Sequence, residues 1–138
     1  MKDQSFKFSH AITRRPSQSV TLGLRSVYRG NPDVSTMSTH HASYVLALKT
    51  AGVLVLELDS LEDYPDSLFV EDTALCLPEG VILMRPGAKS RLGEVDHIAP
   101  HLNAFYKDIF MVKGEATIEA GDILVTETEI FDLYYSRL

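Results

Sequence analysis

The chain has 138 residues, with 45% apolar and 23% charged side chains, which is ordinary for a folded domain and enough to bury a hydrophobic core. Its net charge of −6 argues against the concentrated basic face that nucleic acids need, and no apolar run approaches the ~20 residues of a membrane helix. We therefore expect no nucleic acid and no membrane among the partners. A single cysteine excludes an internal disulfide and a cysteine metal cage and indicates a cytoplasmic setting.

The first half of the sequence predicts a strand, a loop, a helix and a second strand. Alternating apolar and polar residues over 6–12 are typical of a strand, and the Pro-, Gly- and Ser-containing segment that follows predicts a loop with Leu24 at its tip. Ser and Thr side chains within 35–39 are candidate N-caps of a helix that Gly52 ends. The apolar run 53–58 then predicts a buried strand.

The second half predicts a short strand, a hairpin, a helix and a final pair of strands. The apolar run 68–70 is interpreted as the short strand, and two apolar runs within 73–87 flank a three-residue turn at 78–80. Apolar residues spaced three and four apart predict an amphipathic helix over 93–105. The segment 122–135 predicts two further strands.

One pattern occurs twice along the chain. An acid, a strand, a tight turn and a strand follow one another at 71–84 and again at 119–131, about fifty residues apart, with one helix between them. The repeat predicts an α/β fold built from ββαβ modules, of the kind found in propellers and arrays. Because loops of successive modules converge in such folds, we expect the acids at equivalent points to face one another.

Five acids lie near these strand ends, and their chemistry limits what can lie between them. Carboxylates brought together repel unless a cation separates them, and that cation could be a metal, a protein Lys or Arg, or a cationic ligand. A metal is the least favoured, because the sequence has no clustered ligand loop and its histidines are scattered. A planar guanidinium suits paired carboxylates, and an amino-acid ligand would also need arginines for its own carboxylate. The acids are Asp66, Glu71, Asp72, Glu119 and Asp122, and the available arginines are Arg85, Arg91 and Arg137.

Several motifs agree in order with one enzyme family. The segments PDSLFVED, RPGAKSRLGE and TIEAGDI together resemble dimethylarginine dimethylaminohydrolase, which belongs to the guanidino-modifying superfamily with arginine deiminase and the amidinotransferases. The segments ITRRPSQSVTLGL and HHASYVLALKTAG are similar too, so the resemblance covers almost the whole chain. It implies a pentein-type α/β propeller of five modules. Residues 1–138 would form a single domain equivalent to the N-terminal half of that propeller, and the activity would need no metal and no organic cofactor.

The resemblance also implies a reaction and a set of site residues. The family hydrolyses methylated arginine to citrulline and a methylamine: a cysteine thiolate attacks the guanidinium carbon, the amine leaves a Cys-thiouronium intermediate, and water releases citrulline. Glu119 would bind and orient the guanidinium beside the catalytic histidine, and Asp72 would be a second guanidinium-binding acid. It also implies that Leu24 is the tip of a loop that closes over the site. Phe69, Glu71 and Asp66 would form the pocket wall and its polar support. Arg91 and Arg137 would bind the substrate carboxylate.

The sequence departs from the family in two places. The family's catalytic Cys and His lie in its C-terminal half, and this chain ends before either, while Cys76 lies in the middle of a hairpin and is predicted to be an inert core residue. The final segment LYYSRL keeps Arg137 but replaces the family's surrounding Gly, Ser and Thr. We therefore expect the chain alone to be inactive, and to self-associate or to bind a complementary C-terminal half through open sheet edges.

Two other functions stay open at this point. The chain could be a non-catalytic module that binds an arginine-like ligand or serves only for association. It could also support a different guanidino-modifying activity such as that of arginine deiminase, because these relatives share the acids.

Overall fold

The computed structural model describes residues 8–126 and 128–132, apart from the side chain of Asp132. Residues 8–70 form one compact unit, called here the N-terminal unit, and the described residues from Glu71 onward form the C-terminal unit. One domain over residues 1–138 stays a prediction. No helix among the described residues is both long and apolar enough to cross a bilayer.

The N-terminal unit is a β-α-β arrangement with two parallel strands. The strands pair from His10 opposite Leu54 to Arg14 opposite Leu58, as expected when a helix connects them. The connecting helix ends before Gly52, whose φ of 88° is the left-handed conformation typical of a helix stop. The helix and the two strands are confirmed within the described residues; residues 6 and 7 of the first predicted strand lie outside them. The prediction that the second strand is buried is wrong, because Leu54 is 65% and Leu56 37% exposed. In chain order the elements are β1 (His10–Arg14), a 3-10 helix (Gln18–Leu22), α1 (Val34–Thr50) and β2 (Leu54–Leu58).

The N-cap of α1 differs from the predicted serine or threonine. Asp33 is the N-cap, and its carboxylate accepts a hydrogen bond from the amide of Thr36 at 2.7 Å. The carboxylate also suits the positive end of the helix dipole, which explains why an acid takes this position when several hydroxyl side chains follow it directly.

The C-terminal unit contains one complete ββαβ module and the beginning of another. In the complete module β3 and β4 are antiparallel, and β5 pairs in parallel with β4 after the intervening helix α2. The second hairpin, β6 with β7, is also antiparallel. The bounds are β3 (Ala74–Leu77), β4 (Gly80–Leu83), α2 (Glu94–Leu102), β5 (Ile109–Met111), β6 (Ile123–Val125) and β7 (Ile130–Asp132).

The repeated pattern in the sequence corresponds to a repeated local structure. A 3-10 helix at Val70–Thr73 leads directly into β3, and another at Ala120–Asp122 leads directly into β6. The apolar stripe of α2 is buried in the complete module, through Val95, Ile98 and Leu102. Each hairpin is therefore entered from a short helical turn that carries acids.

The predicted strand at 68–70 is wrong. The backbone turns here, because the amide of Phe69 donates to the carbonyl of Asp66 at 3.0 Å and the amide of Ser67 donates to that of Tyr64 at 3.1 Å. These i to i+3 bonds lead into the 3-10 helix instead of an extended strand. The turn between β3 and β4 is also shorter than predicted, since the register pairs Leu77 with Gly80 and leaves two residues between the strands.

Candidate functional site

The two equivalent 3-10 helices position Asp72 and Glu119. Asp72 lies in the helix that precedes β3, and Glu119 is the N-cap residue of the helix that precedes β6. Both side chains belong to the C-terminal unit and remain partly exposed, at 22% for Asp72 and 28% for Glu119. The entry to each hairpin therefore carries one of the two carboxylates, Asp72 within its 3-10 helix and Glu119 just before its 3-10 helix.

A protein guanidinium lies between these two carboxylates. Nη1 of Arg91 donates to Oδ2 of Asp72 at 2.6 Å and lies 4.0 Å from Oε2 of Glu119. The opposite part of the same guanidinium binds Glu94 through Nε and Nη2. We call Asp72, Arg91, Glu94 and Glu119 the Arg91 cluster. Of the three kinds of cation considered from the sequence, the structure places a protein arginine here.

The cluster has a buried side and a side open to water. The side chain of Arg91 is 7% exposed and that of Glu94 is 3% exposed. Burial lowers the pKa of Arg91, but hydrogen bonds and charge from Glu94 and Asp72 raise it by more, so its pKa lies above the ordinary value. Arg91 thus stays charged at physiological pH and provides a permanent cation beneath the two partly exposed carboxylates.

The backbone contacts both carboxylates at two glycines, and at one of them the absence of a side chain is required. The amide of Gly87 donates to Oε1 of Glu119 at 3.0 Å. Gly121 lies against Oδ1 of Asp72, so a Cβ atom there would overlap that oxygen. Arg91 therefore holds one oxygen of Asp72, and the backbone holds one oxygen of Glu119. These hydrogen bonds fix the directions in which the two carboxylates point.

This arrangement suits the binding of a further cation. Three carboxylates surround one guanidinium, so negative charge is in excess when the carboxylates are ionised. Each carboxylate has about four lone-pair positions, and the exposure of Asp72 and Glu119 leaves some of these facing water. No set of three or more His, Cys, Asp and Glu side chains in residues 8–126 and 128–132 is arranged to hold a metal ion.

Three other predicted contacts lie in the N-terminal unit. The amide of Leu24 donates to both carboxylate oxygens of Asp66, at 3.0 and 3.2 Å, and Asp66 is buried. Gly23 allows this approach, because a Cβ there would lie 2.7 Å from Oδ1 of Asp66. Phe69 and Leu24 expose their side chains. The structure thus ties the predicted loop tip to a predicted site acid within this unit.

The remaining predicted site residues are less informative. Glu71 is exposed beside Asp72 in the same 3-10 helix, and Asp122 is exposed just before β6. Arg137 lies outside the described residues. The roles assigned to all of these residues, including Glu119 and Arg91, stay predictions.

Sequence reasoning missed Glu94, although it closes one of the quoted motifs. Glu94 is the first residue of α2 and lies three residues after Arg91. The available signal was this spacing of opposite charges together with the buried stripe that begins at the next residue, Val95. Because acids at helix starts are commonly solvated and favoured by the helix dipole, the position drew no functional interpretation.

Cys76 is exposed on β3, so the prediction that it is a core residue is wrong. The residue is exposed to water, but surrounding protein atoms partly desolvate its thiol and raise the pKa of that thiol, against a smaller lowering effect from a hydrogen bond with Tyr106. Burial and the neighbouring Cys76 raise the pKa of Tyr106 to about 12. A thiol with a raised pKa has little thiolate at neutral pH, so Cys76 lacks the activation expected of a nucleophile.

Curated relatives resemble the chain over much of its length, although no model of a known protein family matches it. N(G),N(G)-dimethylarginine dimethylaminohydrolase of Pseudomonas aeruginosa is 40% identical over 119 residues, which are 86% of this chain and 47% of that protein. The protein of the same name from Streptomyces coelicolor is 33% identical over 115 residues, covering 83% of this chain and 45% of the relative. The chain spans about half the length of these relatives.

Solved structures agree with these relatives. A mutant of the Pseudomonas aeruginosa enzyme complexed with citrulline has a TM-score of 0.89 and 38% identity, covering 92% of this chain and 50% of that one. The N-terminal domain of a cyanobacterial arginine dihydrolase has a TM-score of 0.74 and 20% identity, covering 86% of this chain and 45% of that one, which shows a shared fold alone. The α/β fold and the resemblance to dimethylarginine dimethylaminohydrolase are confirmed.

Proposed function

We propose that the chain binds the guanidinium group of a methylated arginine through Asp72 and Glu119, as part of a dimethylarginine dimethylaminohydrolase-type amidinohydrolase. The observation that carries this proposal is that both carboxylates approach the same guanidinium nitrogen, Nη1 of Arg91, at 2.6 and 4.0 Å. Their exposed sides provide acceptors for a second planar cation of the same shape. The similarity to dimethylarginine dimethylaminohydrolases supports a guanidino compound as that cation.

The reaction we propose has two steps at the guanidinium carbon. A cysteine thiolate adds to this carbon, the proton-transferring histidine gives a proton to the methylated nitrogen, and the C–N bond to that nitrogen breaks. A neutral methylamine leaves and a Cys-thiouronium remains. Water then adds to the same carbon and the C–S bond breaks, which gives citrulline and restores the thiol. Glu119 and Asp72 would hold the substrate plane in place for attack, and Glu119 would do so beside the proton-transferring histidine.

The nucleophile and the histidine would come from a complementary C-terminal half. In the proposal, residues 1–138 act as one domain, which is the N-terminal half of a five-module pentein propeller. The complementary half, or a second copy of the chain, helps to close that propeller. The apolar side chains exposed on the later strands support association, since an isolated sheet face of this kind favours pairing. These side chains are Phe110, Met111, Leu124, Ile130 and Phe131. A cytoplasmic location stays part of the proposal.

The other site residues keep the roles that the resemblance implies. Leu24 would close over the substrate, with Asp66 holding the loop that carries it. Phe69 and Glu71 would be substrate contacts. Arg137 would hold the substrate carboxylate. Arg91, which the resemblance also assigns to that carboxylate, binds Asp72 and Glu94 here, so in this proposal it acts through the two guanidinium-binding acids.

Calorimetry of the chain with asymmetric dimethylarginine, arginine and citrulline tests the binding part of the proposal. Saturable binding is expected for the two guanidinium ligands, with weaker binding of neutral citrulline. Glu119→Gln should weaken dimethylarginine binding about 10-fold to 100-fold, the usual worth of a hydrogen bond to a charged group. Glu115→Gln changes an exposed glutamate of the same unit and is the matched control. Equal affinities for all three ligands, or for both variants, contradict the proposal.

A non-catalytic ligand-binding protein is the second candidate. The partly exposed carboxylates of Asp72 and Glu119 would hold a guanidinium ligand whether or not a nucleophile attacks it. The test mixes the chain with the part of the Pseudomonas aeruginosa relative that it does not match, and measures citrulline from dimethylarginine. Citrulline formation supports the hydrolase, whereas binding without turnover in the mixture supports the non-catalytic protein. Faster turnover of arginine than of dimethylarginine would instead indicate a deiminase.

Sedimentation velocity of the same samples tests the association. A dimer of the chain, or a complex in the mixture, is expected from the exposed apolar strands. A chain that stays monomeric at every concentration and forms no complex contradicts this part of the proposal.

A further inference from the structure

Glu94 is the most buried member of the Arg91 cluster and has no role in the proposed function. Its side chain is 3% exposed. Nε of Arg91 donates to both oxygens of this carboxylate, at 3.1 and 3.2 Å, and Nη2 donates to Oε2 at 2.8 Å. One carboxylate therefore binds a whole edge of the guanidinium.

This pairing fixes how the guanidinium of Arg91 is oriented. Nε and Nη2 lie on one edge of a rigid plane, so binding both to one carboxylate restrains rotation of that plane. Nη1 is then directed to the other side, where Oδ2 of Asp72 lies at 2.6 Å and Oε2 of Glu119 at 4.0 Å. A tilt of the plane would change both distances together.

Glu94 is itself held by a rigid element. It begins α2, whose Val95, Ile98 and Leu102 are buried in the C-terminal unit. A carboxylate in the first turn also interacts favourably with the helix dipole. Arg91 has a long and flexible side chain, so its orientation depends on a partner that is better anchored than Arg91 itself.

We propose that Glu94 is a positioning residue, which holds Arg91 and thereby sets the separation and direction of the two carboxylates that bind the ligand guanidinium. The inference rests on the proposed function, because it concerns the same site. A glutamate that only neutralised a buried charge would change stability and leave the ligand affinity of the folded protein as it was. A positioning glutamate changes the affinity as well.

Two substitutions at Glu94 separate its charge from its length. Glu94→Asp keeps the charge and withdraws the carboxylate by one methylene, and Glu94→Gln keeps the length and removes the charge. Each folded variant should bind dimethylarginine about 10-fold to 100-fold more weakly, the range seen when outer-shell partners of metal ligands are removed. Glu115→Asp and Glu115→Gln, at an exposed position, should bind as the wild type does.

The Nε–Hε signal of Arg91 in a proton–nitrogen NMR spectrum gives a second readout. In the wild type this signal should move when dimethylarginine is added, because the ligand and Nη1 share Asp72 and Glu119. It should also differ between the wild type and Glu94→Asp without ligand. If Glu94→Gln does not fold, the wild-type shift on ligand addition and the difference between the wild type and Glu94→Asp still test whether Glu94 positions Arg91.

The outcomes distinguish the inference from the proposed function. Wild-type affinity in the folded Glu94 variants, or a ligand that binds without moving the Arg91 signal, overturns the inference and leaves the proposed function standing. A wild type that binds no dimethylarginine overturns the proposed function and the inference with it.

Discussion

Arg91 and Arg15 each pair with more than one carboxylate, Arg91 buried in the C-terminal unit and Arg15 exposed in the N-terminal unit. Arg15 donates to Glu57 and, at 3.5 Å, to Asp59, which we call the Arg15 cluster. The side chain of Arg15 is 58% exposed, whereas that of Arg91 is 7% exposed. The residue types are alike, so the main physical difference is the amount of water around the charges.

This difference in exposure decides which cluster affects stability and ligand binding. In water the attraction between exposed charges is screened and competes with side-chain entropy, so such pairs contribute little. A buried charge has lost its hydration and depends on its partners, so removing one partner leaves the others uncompensated. We therefore expect the Arg91 cluster to couple stability to ligand binding and the Arg15 cluster to do neither.

The largest expected effect is that of Arg91→Ala. It removes the guanidinium that donates to the buried Glu94 and that lies as a cation between Asp72 and Glu119. The loss should be about 3 kcal/mol of unfolding free energy, at the lower end for broken buried pairs because two of the carboxylates keep contact with water. Urea denaturation measures this loss. Equal losses for Arg91→Ala and Arg15→Ala would remove the distinction between the clusters.

Gly121→Ala should have the next largest effect. The new methyl group would overlap Oδ1 of Asp72, so the carboxylate or the backbone must move. Overpacking of this kind costs about 1–3 kcal/mol, and here it should also weaken dimethylarginine binding, because Asp72 is displaced. Calorimetry and urea denaturation of the same sample measure both effects.

The control for this substitution is Gly87→Ala. Its Cβ would meet Oγ1 of Thr117 at an ordinary 3.7 Å, and the amide that donates to Glu119 is retained. If both alanine variants behave alike, close packing at Asp72 is not what holds the carboxylate.

The sequence and the structure agree where local signals decide the backbone. Gly52 ends α1 as predicted, because the left-handed conformation favours glycine. The apolar stripe of α2 and the two hairpins also follow from spacing alone. The strand at 68–70 does not, since three apolar residues fit a strand or a turn equally, and the bond from Phe69 to the carbonyl of Asp66 favours the turn.

The candidate site could be predicted in part. The repeat predicted that acids of successive modules face one another, and the resemblance singled out Asp72 and Glu119. The structure places both of these carboxylates beside one guanidinium. Which cation would lie there was left open, because repulsion between acids requires a positive charge without specifying its source. Glu94 was missed because burial of a charge depends on packing between elements distant in the chain.

The smallest expected effect is that of Arg15→Ala. Its hydrogen bond to Glu57 is the main reason that the pKa of Glu57 lies below the ordinary value. A depressed pKa contributes stability above the unfolded pKa and loses it as the pH falls through the folded pKa. The variant should lower the unfolding midpoint at pH 7 only slightly, because water screens this exposed pair, while the pKa of Glu57 rises towards its ordinary value in an NMR titration. A large drop in the midpoint at pH 7 would contradict the ranking of the two clusters.

A crystal structure of the chain with asymmetric dimethylarginine tests the central claim most directly. The account predicts that the ligand guanidinium lies within hydrogen-bonding distance of both Asp72 and Glu119, on the side of these carboxylates that faces water, with Arg91 still bound to Glu94. A ligand bound away from these carboxylates, or Asp72 and Glu119 directed away from each other in the complex, would contradict it.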